Sequence, residues 1–167
     1  MTGLDRLALE IATTLHLSYI PYRLSEGTAV ARERRWSGAG FIGTLVGWGT
    51  LYALPRGWLF VPALAVGIAG ACWAAGRAER VLGVHDDPRI VIDEVVGYWV
   101  AAAGLARQPG LLAAAFVLFR VFDATKPAPC RRLEALPGGV GVVMDDVGAG
   151  VYANLASRLL LAMGFFG

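Results

Sequence analysis

Nearly all the acidic residues in the second half of the chain fall into three groups: Asp86, Asp87, Asp93 and Glu94, then Asp123, then Asp145 and Asp146. Each group sits where a polar loop meets a hydrophobic run, a place where carboxylates are costly unless they are used. Cations are interleaved with them. Arg120, Asp123 and Lys126 step by three along one side of a helix, which combines a metal ligand with two phosphate-binding groups. Clustered carboxylates beside such cations are the chemistry that holds Mg²⁺ against a phosphoryl group.

Other routes to phosphate hydrolysis lack their residues. A cysteine nucleophile needs arginine six positions on, and after Cys130 that position is Leu136. A histidine nucleophile needs partners, but His16 and His85 are the only histidines and His16 lies in the N-terminal helix. The Asp-x-Asp of aspartyl-phosphate enzymes is absent. By elimination the nucleophile is a metal-activated water.

The elements that must position these groups are unusually apolar. Of 167 residues, 56% are hydrophobic and 17% charged, with a mean hydropathy of +0.57. That surplus must face lipid. The net charge of +2 gives no reason to expect nucleic acid, and Lys126 is the only lysine. Cys72, in an apolar run, and Cys130, in a polar loop, predict no disulfide. Asp5 and Glu10 interrupt the first apolar stretch, which argues against a cleavable signal peptide.

Leu4, Leu7, Ile11 and Leu15 recur at helical spacing and predict one amphipathic helix over 4–20. A polar stretch over 21–37 ends in Arg32, Arg34, Arg35 and Trp36. Apolar runs over 38–54 and 58–75 are joined by Pro55-Arg56-Gly57, and each approaches the ~20 residues that span a bilayer. Asp87 and Pro88 read as cap and first residue of a helix reaching Ala106, and 111–122 returns to a stop at Pro127. After a loop over 128–141, Asp145 and Asp146 open the last run, 147–166, in which Arg158 must snorkel, pair internally or mark a segment that does not cross. The basic loops put all three acidic groups on one face, the cytoplasmic one by the positive-inside rule.

Each residue also has a purely structural reading. Asp87 caps a helix, Asp93 pairs with Arg89, and Asp123 pairs with Arg120 or Lys126. His85, a poor Mg²⁺ ligand, is either a solvated loop residue or a phosphate contact. Gly97, Gly104, Gly148 and Gly150 serve helix packing, although Gly97 shares a face with Glu94 and could admit substrate. No such reading explains why the groups share one face.

At these residues the chain resembles the phosphatidylglycerophosphatase A family. The resemblance is carried by LGVHDDPRIVIDEVVGYW (82–99), FVLFRVFDATKPAPCRRLE (116–134) and GGVGVVMDDVGAG (138–150). It implies a membrane-embedded, Mg²⁺-dependent enzyme converting phosphatidylglycerophosphate to phosphatidylglycerol, with roles for Asp86, Asp93, Glu94, Arg120, Asp123, Lys126, Asp145 and Asp146. The N-terminal half departs: where the family has a Pro-Gly-Thr-x-Gly-Ser-like motif, this chain has Ala39-Gly40-Phe41-Ile42-Gly43-Thr44.

The expectation is therefore an all-α protein, a small integral membrane helical bundle with an N-terminal amphipathic helix. Residues 1–37 form that helix and a basic loop, and 38–167 the catalytic part of a single domain. Asp93, Glu94, Asp123 and Asp146 are expected to hold Mg²⁺. Arg120, Lys126 and His85 contact substrate, and Asp93 serves the chemistry with Asp86 or Asp145 as base. The partners are an anionic phospholipid and the bacterial inner membrane, with the site facing the cytoplasm. Self-assembly into a homo-oligomer stays open. The rivals are an alcohol phosphotransferase acting on CDP-linked lipids, whose Asp-Gly-x-x-Ala-Arg opening is absent, and an ion transporter, whose acids belong at mid-membrane.

Overall fold

The computed structural model describes residues 1–25 and 38–166, and every regular element among them is helical. Helix α1 (Gly3–Ala12) starts on a capping box: Asp5 N–H donates to Thr2 Oγ1 at 3.2 Å and Thr2 N–H to Asp5 Oδ2 at 2.8 Å. The helix expected over 4–20 is broken after Ala12. Thr13 turns its hydroxyl onto the Leu9 carbonyl at 2.8 Å, and Thr14, Leu15 and His16 take left-handed φ of 49°, 55° and 65°. Two consecutive threonines are weak helix formers whose hydroxyls offer the backbone an alternative partner. The turn brings the Ser18 hydroxyl to the Arg89 carbonyl at 2.7 Å, and α2 (Tyr19–Ser25) occupies part of the expected polar stretch. Arg32, Arg34, Arg35 and Trp36 lie outside the described residues.

Helix α3 (Ala39–Leu51) has 13 residues, about 20 Å at ~1.5 Å per residue, and is shorter than its apolar run. A 3-10 turn (Gly57–Leu59) leads into α4 (Phe60–Leu82), which continues past Ala75 because Arg77, Glu79 and Arg80 do not break a helix. It stops at Gly83, whose φ of 72° is the left-handed cap that glycine adopts without strain. Among the described residues, Gly57–Leu82 is the one helical stretch long and apolar enough to cross a membrane.

The next helix starts later than expected. Asp87 does not cap it; its carboxylate accepts from the Arg89 backbone at 3.0 Å and pairs with the Arg89 guanidinium at 2.6 Å. Helix α5 (Ile92–Ala101) begins instead after Val91, whose N–H donates to the Ala12 carbonyl at the end of α1 at 2.8 Å. Pro109 opens α6 (Pro109–Thr125), which ends at Lys126 and Pro127 as predicted. The expected loop over 128–141 contains a short α7 (Cys130–Glu134), and α8 (Gly139–Ala162) starts ahead of both aspartates. Cys72 and Cys130 are free, as expected.

Helix α5 is central, packed between α3, α4, α6 and α8. Its crossing with α8 is close because a Cβ on Gly150 would run into the Gly97 carbonyl, and one on Gly97 would lie 3.0 Å from the Asp146 carbonyl and 2.7 Å from the Phe119 ring. The packing reading of these glycines is the one observed. At the far end Asn154 donates to the carbonyls of Ala101 and Ala103, both at 2.8 Å, and Arg158 donates to Ala103 at 2.9 Å and to Asn154 Oδ1 at 2.8 Å. Arg158 thus pairs with backbone groups that the end of α5 leaves open.

Candidate active site

The same crossing sets the chemistry. Asp93 and Glu94 occupy the first turn of α5, and Asp145 and Asp146 the second turn of α8. Helix α8 enters at this level because Gly139 lies against Cys72 and Gly76 of α4 with no room for a Cβ, and Gly141 lies beneath the carbonyls of Leu136 and Glu134. Asp93, Glu94 and Asp146 each offer an oxygen, and the three lie within 4.8 Å of one another. Asp93 Oδ1, Glu94 Oε2, Asp145 Oδ1 and Asp146 Oδ2 are buried without a hydrogen-bond partner. Unpartnered buried carboxylate oxygens are rare, because each forfeits its hydration.

Cations line two sides. From α6, Arg120 Nη1 lies 2.9 Å from Asp123, 3.8 Å from Glu94 and 3.5 Å from the buried Thr44 hydroxyl of α3. Gly40, one turn before Thr44, leaves the space that Glu94 and Arg120 fill. Lys126, with a left-handed φ of 43° at the end of α6, places Nζ 2.7 Å from Asp145 and 2.8 Å from Glu134. Asp86 and His85 belong to the turn after α4 and are held by Glu79.

Electrostatics mark this as a site of concentrated like charge. Burial pushes Asp93 and Asp146 well above the usual carboxylate range, and neighbouring carboxylates add to it. Burial likewise raises Glu94 to about 7 and Asp145 to about 6, against the pull of Arg120 and Lys126 respectively. Asp86, although exposed at the surface, is raised by the protein around it, with Lys126 pulling the other way. Burial also disfavours the Lys126 charge, but Asp145 and Glu134 outweigh it and hold the ammonium above its ordinary value. A hard divalent cation fits such a donor set: carboxylate oxygens from two helices, inward, unpartnered and mutually repelling.

The structure therefore brings together Asp93, Glu94 and Asp146, with Asp145, Arg120, Asp123 and Lys126 around them. Asp86 acts on Asp93 and Lys126 through space, while His85 turns its Nδ1 to Glu79. Arg89 belongs to Asp87, not Asp93. Sequence reasoning missed Glu79 and Glu134, which sit in a helix of mixed charge and a basic loop with no acidic cluster to flag them.

A family model described as phosphatidylglycerophosphatase A matches residues 25–161. A protein of that name from Escherichia coli is 34% identical over 62% of this chain and 66% of its own length, and one from Haemophilus influenzae 41% identical over 49% and 52%. A protein from Bacteroides thetaiotaomicron named putative phosphatidylinositol-3-phosphatase is 46% identical over 48% of the chain and 52% of its own length. The chain thus spans between 52% and 66% of these relatives. No solved structure matches. The family match runs across α3 to α8 and so takes in every carboxylate and cation of the site, and on that ground the chain belongs to the phosphatidylglycerophosphatase A family.

Proposed function

We propose that this protein is a Mg²⁺-dependent lipid phosphatase that hydrolyses the terminal phosphomonoester of phosphatidylglycerophosphate. The observation that carries the reading is that Asp93, Glu94 and Asp146 each offer an oxygen within 4.8 Å of the others, and that each has a buried oxygen without a hydrogen-bond partner. Those three, with Asp123, would hold the ion. Bound there, Mg²⁺ supplies a counter-charge for the phosphoryl oxygens and acidifies a water. Arg120, steadied by Asp123 and Thr44, and Lys126 bind the phosphate, with His85 at the edge. Asp145, whose Oδ1 is unpartnered, or Asp86 accepts the proton of the attacking water as the bond from phosphorus to the glycerol oxygen breaks.

The exposed apolar surface supports a lipid substrate and a place in the membrane. Val61, Val66, Val117, Leu155 and Leu159 are exposed on α4, α6 and α8, a surface suited to acyl chains. On α1, Leu4, Leu7 and Ile11 are exposed as well. The apolar segments 38–54, 58–75, 111–122 and 147–166 then face lipid around the enclosed α5, and the carboxylates sit at the polar rim, on the cytoplasmic side of the bacterial inner membrane.

The test is phosphate release from phosphatidylglycerophosphate by the purified protein in detergent micelles. Release is expected with Mg²⁺ and is lost in chelator; no release, or release indifferent to chelator, defeats the proposal. The name of the Bacteroides relative favours one second reading, a phosphomonoester on inositol at the same site. Comparing kcat/KM for the two lipids decides between them.

A further inference from the structure

The turn carrying His85 and Asp86 is fastened by one side chain that the mechanism above does not use. Glu79 lies in the last turn of α4 and is 9% exposed. Its backbone carbonyl accepts the Gly83 N–H at 2.8 Å, ending the helix. The carboxylate of the same residue accepts the Asp86 backbone N–H at 2.9 Å and the His85 Nδ1 at 2.5 Å, all through Oε1. Asp86 has a left-handed φ of 50°, a conformation that a non-glycine residue keeps only when its surroundings enforce it. The bond from Asp86 N–H to Glu79 is such an enforcement. The charges of Lys126, Glu134, Asp93 and Asp145 all act on the Asp86 carboxylate that this turn carries.

We infer that Glu79 is a positioning residue for the hydrolytic site, holding the His85–Asp86 turn so that the Asp86 carboxylate faces the carboxylate cluster. The inference rests on the proposed phosphatase reading for its activity arm. It also gives the long apolar helix a second duty, since the end of that helix sets the geometry of one wall of the site.

The experiment compares Glu79→Ala, Glu79→Gln and Asp86→Ala with the double variant Glu79→Ala/Asp86→Ala in the full chain. Thermal unfolding confirms that each variant is folded. Amide exchange of the 84–90 peptide is read beside phosphate release. Glu79→Ala should speed that exchange and lower kcat by about 10- to 100-fold with KM changed little, as loss of a supporting partner does. Glu79→Gln keeps an acceptor oxygen and should recover most of both. The double variant should be no slower than Asp86→Ala, because Glu79 acts through Asp86. Unchanged exchange in Glu79→Ala, failure of Gln to rescue, or losses that multiply in the double variant would each overturn the inference. A wild type that releases no phosphate, while exchange still responds to Glu79→Ala, defeats the phosphatase reading and leaves the fastening intact.

Discussion

Asp146 concentrates the conflict between stability and activity at this site. It is 3% exposed, its Oδ2 has no partner, and Asp123, Asp93 and Glu94 all press on its charge. Neutralising it removes repulsion and a ligand together. Asp146→Asn should therefore raise the metal-free protein's stability by about 1–3 kcal/mol while lowering Mg²⁺-dependent phosphate release by about 100-fold or more. Thermal melts and the phosphate assay on one preparation check both directions, and a destabilised variant contradicts the account. The pH dependence follows from the same groups. Asp145 rises from 3.8 to about 6 and Glu94 from 4.5 to about 7 on folding, so the folded state binds the extra protons. Stability from this source is complete below about pH 4 and is lost as pH climbs toward 7. Melting temperature without metal should fall across that window, and the increment given by Mg²⁺ should grow across it, since the ion replaces the departing protons.

At the scale of elements, the crossing of α5 and α8 matters most, and it depends on glycine. Gly150→Ala would drive a Cβ into the Gly97 carbonyl and to 2.9 Å from Val100 Cβ. Backbone cannot yield as a side chain tip can, so the expected loss is about 1–3 kcal/mol with activity falling alongside. Gly49→Ala is the matched control: nothing lies within 4 Å of its added Cβ, so the gain in helix propensity should stabilise by roughly 0.5–1 kcal/mol. Denaturant titrations of the pair read the difference. These helices were legible as apolar runs with turn signals, and Pro109, Pro127 and Pro55-Arg56-Gly57 mark observed boundaries. The misplaced boundaries share a cause: Asp87, Arg77 and Asp145 were read from local capping and charge, whereas Arg89, the continuing α4 and the glycines of 138–141 decided the outcome through contacts or conformation that spacing does not encode.

Across the whole molecule, the convergence of acids separated by up to about a third of the chain was legible because each group sits at a helix end and the helices alternate in direction. The partners that shape the site were not. Glu79 and Glu134 meet His85, Asp86 and Lys126 through turns whose geometry depends on Gly83 and on the left-handed Lys126, and neither glutamate carries a local signal. The hold that α8 has on α5 at both ends has one more result. Asp146 faces Asp93 and Glu94 at one end, and Asn154 grips Ala101 and Ala103 at the other, two turns or about 12 Å further on. Helix α8 therefore works as a ruler: inserting one residue between these two points would swing one end by about 100° relative to the other, so the chain could keep its metal cradle or its distal clasp, but not both.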